Sequence, residues 1–252
     1  MIEARHLSKR YGDIAAVRDV SFQVGRGEVV GFLGPNGAGK TTTMRMLTGF
    51  LPPTDGTALI AEHDIFEDPL AARRAVGYLP ETLPLYPEMT VRSYLDFVAR
   101  IKDVPRGVVR SSVERAMERC GLAEVSRQVI GTLSRGYRQR VGLAQAIVHD
   151  PPVLILDEPT VGLDPLQVRE IRQLIRDLAS PRGGQTQHTV ILSTHILPEV
   201  EAICRRVILM SRGRKVVDAP LEELVRGGQS LDEIFVRETA RDDVDLATEA
   251  AS

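Results

Sequence analysis

The residues Gly34-Pro35-Asn36-Gly37-Ala38-Gly39-Lys40-Thr41-Thr42 fit the pattern G-x-x-x-x-G-K-[ST], which holds phosphates when a strand leads in and a helix leads out. Glu28 to Leu33 (EVVGFL) is a short apolar run of strand type, and Lys40 to Leu47 is free of Gly and Pro until Gly49 and Pro52-Pro53 stop it. Three glycines let the backbone close around a polyphosphate, with N–H groups and a helix N-terminus aimed at the anion. In that setting Lys40 reaches the β- and γ-phosphates and the Thr41 hydroxyl holds Mg²⁺. An ordinary Gly-rich turn is the other reading, and it leaves the strand, lysine, threonine and helix unexplained. The chain is expected to bind a nucleoside triphosphate.

A second constellation follows a continuous apolar run, Val153-Leu154-Ile155-Leu156, the pattern of a strand buried on both faces of a parallel sheet. It delivers Asp157-Glu158 to the strand's end, where two adjacent carboxylates are costly to desolvate without a cation or hydrogen-bond partners. Asp157 suits Mg²⁺ coordination. Glu158, on the opposite side of the pleat, suits a general base for an attacking water. Thr189 to Ser193 is another buried strand, ending at Thr194-His195. A histidine there can touch a γ-phosphate or be a hydrogen-bonded surface residue, and its arrival at the same sheet edge favours the former.

Three further positions each keep two readings. Glu81 leaves the strand-like run Val76 to Leu79 at a proline, either as a site group or as a solvated loop carboxylate. Ser134 and Gly136 precede a patterned helix from about Tyr137 to Val148, forming an anion site or a plain serine N-cap. Tyr11, in the turn Lys9-Arg10-Tyr11-Gly12, either stacks on a base or is an exposed turn tyrosine.

The elements that must position these groups are those of one α/β domain. A chain of 252 residues with 43% hydrophobic and 26% charged residues can bury a substantial core. A net charge of −2 gives no basic face for a nucleic-acid role resting on bulk electrostatics. Cys120 and Cys204 lie far apart and lack metal-ligand spacing, so buried reduced thiols are expected. No window approaches the roughly 20 apolar residues of a membrane span, and the first residues lack the apolar core of a signal peptide.

Residues 2–7 and 20–24 read as strands, as does Thr57 to Ile60 after a turn at 52–56. Helices are expected from Thr90, with Val91, Tyr94, Leu95, Val98 and Ile101 on one face, and from about Gly107 to Cys120 with a stop at Gly121. Residues 83–148 thus form a helical insertion in the α/β alternation. A helix from Leu166 to Ala179, a polar loop from Ser180 to His188, and strands at 206–210 and 215–217 follow. Two small helices at 221–225 and 231–236, separated by Gly227-Gly228, precede an acidic tail expected to be flexible from 238 to 252.

Taken in order, these segments resemble the nucleotide-binding subunit of an ABC transporter over nearly the whole chain. Gly34 to Thr42 matches the Walker A loop, Leu133 to Gln139 the signature segment, Val153 to Glu158 Walker B, Gly162-Leu163-Asp164 the D-loop and His195 the switch histidine. Tyr11 falls at the adenine-stacking position and Glu81 at the Q-loop position. The resemblance implies an α/β P-loop NTPase (RecA-like) core with a mixed sheet, an N-terminal antiparallel β subdomain and an inserted α-helical subdomain, all within residues 1–237. It implies two ATP molecules, each with Mg²⁺, sandwiched in a head-to-tail dimer with a second copy or a paralogous ATPase. Each ATP meets Lys40, Thr41, Asp157 and His195 of one chain and Ser134 and Gly136 of the other, with Glu158 polarising the water and Glu81 and Thr41 near the metal. It also implies a transmembrane permease on a separate chain, which holds the ATPase at the cytoplasmic face of the membrane.

Two residue sets depart from the family pattern. Glu81 stands where glutamine is usual, and Leu133-Ser134-Arg135-Gly136-Tyr137 replaces Leu-Ser-Gly-Gly-Gln. YLPE around Glu81, LSRGYRQRVGLAQAI and SLDEIF are similar to ATPases of ABC-2-type exporters. The competing function classes are a soluble ABC-type ATPase acting on nucleic acid or ribosomes, and a P-loop kinase with a small acceptor. The first usually carries tandem units or a long insert, and the second has no use for the signature segment.

Overall fold

The computed structural model describes residues 1–180, 186–226 and 228–250, with side chains to residue 241. Most of the expected 180–188 loop and the first glycine of the 227–228 pair lie outside the described residues. In chain order the elements are β1 (Ile2–Tyr11), β2 (Ile14–Val24), β3 (Val29–Leu33), α1 (Lys40–Leu47), β4 (Asp55–Ile60), β5 (His63–Asp64), α2 (Pro69–Arg74) and β6 (Val76–Leu79). Then come α3 (Val91–Ile101), α4 (Val109–Arg119), α5 (Arg135–Ile147), β7 (Val153–Asp157), α6 (Pro165–Ala179) and β8 (Thr189–Thr194). The chain continues through α7 (Leu197–Ile203), β9 (Arg206–Ser211), β10 (Arg214–Pro220), α8 (Leu221–Leu224) and α9 (Leu231–Ala250).

The strands form two sheets. A four-stranded antiparallel sheet has the order β2-β1-β4-β5, and a six-stranded mixed sheet the order β10-β9-β3-β8-β7-β6. In the latter β9, β3, β8, β7 and β6 are parallel neighbours, and β10 closes one edge antiparallel. Because the side-chain period of a strand is two, the apolar runs divide between the faces. Val30, Phe32, Val153, Ile155 and Ile191 pack with α1 and the antiparallel sheet. Leu33, Leu154, Leu156, Val190 and Leu192 pack with the helices α3 to α7. Every residue of β7 is buried, which accounts for an unbroken run where a half-exposed strand would alternate.

The helices between β6 and β7 follow their patterns closely. Thr90 caps α3 by accepting the Ser93 N–H at 3.2 Å, and Gly121, at φ 64°, follows the end of α4 in the left-handed conformation expected of a stop. Tyr94, 1% exposed, donates from its hydroxyl to the Pro84 carbonyl or the Gln145 side-chain oxygen, joining α3 to α5.

Two expectations are corrected, and two short helices are added. Tyr11 lies in strand, not turn: β1 and β2 extend to Tyr11 and Ile14, leaving Gly12-Asp13 as the connection. The small helix expected at 231–236 is longer: α9 continues as helix to Ala250. That stretch contains no Gly or Pro, and Ala, Glu, Arg and Leu lower the cost of propagating a turn. The Glu238 carboxylate also pairs with Arg237 and Arg241. The short α2 and α7 went unread because six and seven residues are too few to show a helical period.

Gly77 sits where β6 meets α5, and a Cβ there would press on the Ala146 carbonyl oxygen and, at 2.7 Å, on Leu154 Cδ2. Gly77→Ala is expected to destabilise the chain by about 1–3 kcal/mol through overpacking. Thermal unfolding checks this, with a drop in Tm of several degrees expected.

Candidate functional site

Parallel register brings the carboxyl ends of four strands to one edge. Leu33 pairs with Thr194, Asp157 with Ser193, and Leu79 with Leu156, so the turns after β3, β6, β7 and β8 open together. There lies a cavity of about 600 Å³ lined by Asn36, Gly37, Gly39, Lys40, Thr41, Thr42, Glu81, Glu158 and His195, with Ala16 and Val161 at its margin.

The loop from Gly34 to Gly39 owes its path to backbone conformations that a side chain disfavours. Gly37 and Gly39 have φ of 80° and 98°, and a Cβ on Gly39 would lie 2.5 Å from the Ala16 carbonyl oxygen. Gly39 is also the N-cap of α1 and supplies no capping side chain. The first intrahelical bond runs from Thr43 N to Gly39 O, so the amides of Lys40, Thr41 and Thr42 precede it at the positive end of the helix dipole. Lys40 is 6% exposed and folds back, its ammonium donating to the carbonyls of Gly34 at 2.7 Å and Pro35 at 3.1 Å. Burial pushes its pKa down, against the pull of Glu158, Asp157 and Glu81.

Asp157 is fully buried, and neither carboxylate oxygen has a hydrogen-bond partner. Burial pushes its pKa up; the Ser193 and Thr41 hydroxyls pull the other way from nearby without closing a hydrogen bond, and Glu158 and Glu81 add to the rise. Glu158 has a left-handed backbone, φ 50°, and its N–H donates to Ser193 O at 2.8 Å. One of its carboxylate oxygens meets His195 Nδ1 at 2.8 Å and the other lies 3.3 Å from the Thr194 hydroxyl. Behind them Glu199, 1% exposed, accepts from the hydroxyls of Thr194 and Thr160. Burial pushes the Glu199 carboxyl up, against Thr194 and the more distant Arg172.

Other expected site residues stand apart from this cavity. Ser134 caps α5 by accepting from Tyr137 N at 3.3 Å, Gly136 is covered by the Gln167 side chain, and Tyr11 is 49% exposed with Lys9 Nζ 5.5 Å above its ring. Asp164 caps α6, accepting from Leu166 N and Gln167 N. The unusual Arg135 lies over Gly162 and donates to Val161 O at 2.8 Å, tying the head of α5 to the loop after β7 within the same chain. Pro35 and Ala38 belong to the phosphate-type loop, where Ala38 N donates to Pro35 O at 3.2 Å.

Sequence reasoning missed Glu199 and Thr160. Glu199, one of two glutamates in Leu197–Ile203, looks like an ordinary first-turn acid, and only the packing of α7 against β8 turns it inward. Thr194 adjoined a recognised histidine but carried no motif of its own.

The arrangement presents helix-end amides, a buried ammonium and a carboxylate–imidazole pair around one concavity, the groups that phosphoanhydride hydrolysis needs. A family model described as ABC transporter matches residues 17–161, from within β2 to just past β7, and an AAA domain model matches residues 127–200. The ABC transporter ATP-binding protein NatA of Bacillus subtilis (strain 168) is 35% identical over 249 residues, 96% of this chain and 99% of its own. The bacitracin transport ATP-binding protein BcrA of Bacillus licheniformis is 36% identical over 224 residues, 89% of this chain and 71% of its own. Among solved structures, an ATP-binding subunit of an ABC transporter superposes with TM-score 0.84 at 30% identity, covering 95% of this chain and 99% of that one. A dimeric bacterial ABC transporter cassette superposes with TM-score 0.77 at 25% identity, covering 88% and 99%. With the match spanning more than half of the chain and the site built at the expected strand ends, the chain belongs to the ABC transporter family, as an ATP-binding, ATP-hydrolysing subunit.

Proposed function

We propose that two such cassettes close head-to-tail on ATP and that the closure drives a separate transmembrane permease, in the direction of export. The observation that carries this reading is the division of the site. Lys40, Thr41, Glu158 and His195 line one cavity, with Asp157 buried next to Glu158 at the end of β7, while Ser134 and Gly136, the other groups of phosphate-binding type, stand outside it at the head of α5. A second chain supplying its own α5 head completes the site.

The amides that open α1 cradle the phosphates, and Lys40 exchanges the Gly34 and Pro35 carbonyls for phosphate oxygens. Thr41 and Asp157 fit Mg²⁺: one hydroxyl, and one buried carboxylate with both oxygens unpaired, leave room for the waters and phosphate oxygens this ion keeps. Bound there, the ion would neutralise charge on the phosphates, and Glu81, which lines the same cavity, would be a further ligand to it. Among the described residues no cluster of three or more His, Cys, Asp or Glu offers a self-sufficient metal cage. Glu158 orients the hydrolytic water and takes its proton, while His195, held by Glu158, directs its other ring nitrogen to the γ-phosphate. Tyr11 receives the base at the outer end. In the family reading Asp164 signals across the dimer, and its cap on α6 lets that signal reach a whole helix.

A groove of about 470 Å³ beside β6 and α3, lined by Phe50, Tyr78, Tyr86, Phe97 and Ile101 with Arg45 and Lys102, suits an amphipathic segment of the permease. Among the described residues no helix is long and apolar enough to cross a membrane, so the chain would sit peripherally on the cytoplasmic face through that partner. Export is favoured by the exporter-like variants around Glu81 and Ser134 and by the likeness to the bacitracin transport protein.

Glu158→Gln is expected to slow hydrolysis by about 10²-fold or more, the scale of losing a general base, with ATP binding retained. Phosphate release measured beside nucleotide binding tests it, and turnover near the wild-type rate would sink the assignment. In the Glu158→Gln background ATP and Mg²⁺ should convert monomer to dimer on size-exclusion chromatography with light scattering. Adding Gly136→Glu should hold the chain monomeric, while monomer affinity for ATP changes by less than about threefold, under 1 kcal/mol. Purified from detergent-solubilised membranes with ATP and Mg²⁺, the Glu158→Gln protein should bring down a multi-span partner, and Phe97→Glu should lose it. Recovery of ribosomal proteins or DNA instead would move the function away from transport.

A further inference from the structure

Glu199 is a buried carboxylate that the hydrolytic scheme above leaves unused. A glutamate in the first turn of a seven-residue helix would ordinarily face water, yet this one is 1% exposed. One carboxylate oxygen accepts the Thr194 hydroxyl at 3.1 Å and the other accepts the Thr160 hydroxyl. Thr194 Oγ1 also accepts the Ile196 N–H at 3.1 Å and lies 3.3 Å from a Glu158 oxygen. A threonine hydroxyl has one proton, so Thr194 divides it between two carboxylates, those of Glu199 and Glu158.

Thr160 lies on the loop that follows Glu158, and Thr194 ends the strand that precedes His195. Glu199 therefore bridges the two chain segments that carry the carboxylate–imidazole pair. A dipole role at the start of α7 does not account for this, because the carboxylate turns to side chains outside its own helix. We infer that Glu199 is a positioning residue for hydrolysis, holding Glu158 and His195 in register by tying the exits of β7 and β8 together through Thr160 and Thr194. The inference rests on Glu158 acting as the base.

Steady-state hydrolysis by the purified full chain tests it. Glu199→Ala should lower kcat by about tenfold to a hundredfold, the scale of misplacing a reacting group by an ångström or less. KM for ATP should change by less than about threefold, since binding groups are untouched. Glu199→Gln keeps an oxygen for Thr160 and can donate to Thr194 Oγ1, so it should recover kcat to within about threefold of wild type. Wild-type kcat in Glu199→Ala, a glutamine variant as slow as the alanine one, or a joint loss of kcat, KM and thermal stability would each overturn the inference.

Should Glu199→Ala fail to fold, Thr160→Val and Thr194→Val each cut one arm of the tie, and both are expected to lower kcat with KM held. Normal kcat in both would overturn it equally. Glu158→Gln assayed in parallel separates the two levels. Fast turnover there removes the base assignment itself, whereas a stalled Glu158→Gln beside an active Glu199→Ala removes only the tie.

Discussion

The constraint on which the site depends is the burial of Asp157. A strand covered on both faces ends in a carboxylate with no exposed surface and no hydrogen bond. Desolvating such a group costs several kcal/mol unless positive charge or strong donors offset it. Within the chain the positive charge nearby is Lys40, itself 6% exposed and bound to carbonyls rather than to a carboxylate. Three acidic groups, Asp157, Glu158 and Glu81, influence that single ammonium. The edge of the sheet is therefore electrostatically unfinished: Asp157 lacks a compensating charge, and Lys40 lacks an anionic partner.

The scaffold follows from the same two-sided burial. Carboxylates could not be held there by a surface sheet, because water would enter and the groups would find solvent rather than ligand. Packing α1 and the antiparallel sheet on one face and α3 to α7 on the other removes water from the strands and leaves only their carboxyl ends open. Parallel pairing then brings the turns to one edge without any side chain having to reach far. Arg135 extends this rigidity sideways. By donating to Val161 O over Gly162 it fastens the head of α5 to the loop that carries Asp164, using a residue that departs from the family's usual glycine.

What was legible in the sequence, and what was not, divides on physical lines. Gly34 to Thr42 and Val153 to Glu158 were readable because each combines a local backbone requirement with an apolar run of fixed period. Tyr11 was misplaced by the polar run Ser8-Lys9-Arg10 and the glycine beside it, which hide the strand, whereas the pairing of Tyr11 with Ile14 closes the hairpin. The segment from 238 looked frayed by its acidity, whereas freedom from Gly and Pro lets α9 propagate to Ala250. Glu199 was invisible because its role depends on which face of α7 meets β8, a tertiary fact that a seven-residue segment cannot encode in periodicity. Ser134 kept both of its readings, since a cap in one chain and a phosphate ligand to another require the same exposed hydroxyl.

The backbone at Glu158 shows how rigidity serves the chemistry. A non-glycine residue at φ 50° costs on the order of 1–3 kcal/mol and persists only where its surroundings over-determine it. Here Ser193 O takes the Glu158 N–H, His195 and Thr194 take its carboxylate, and Pro159 follows directly. Continued as regular strand, the pleat would put Glu158 on the face of Leu154 and Leu156, which pack against the helices. The strain thus keeps a carboxylate at the mouth of the site that the pleat alone would not place there. It also links the carboxylate to the path of the next residues, so any shift of the loop through Thr160 and Val161 changes the angle at which Glu158 faces the cavity.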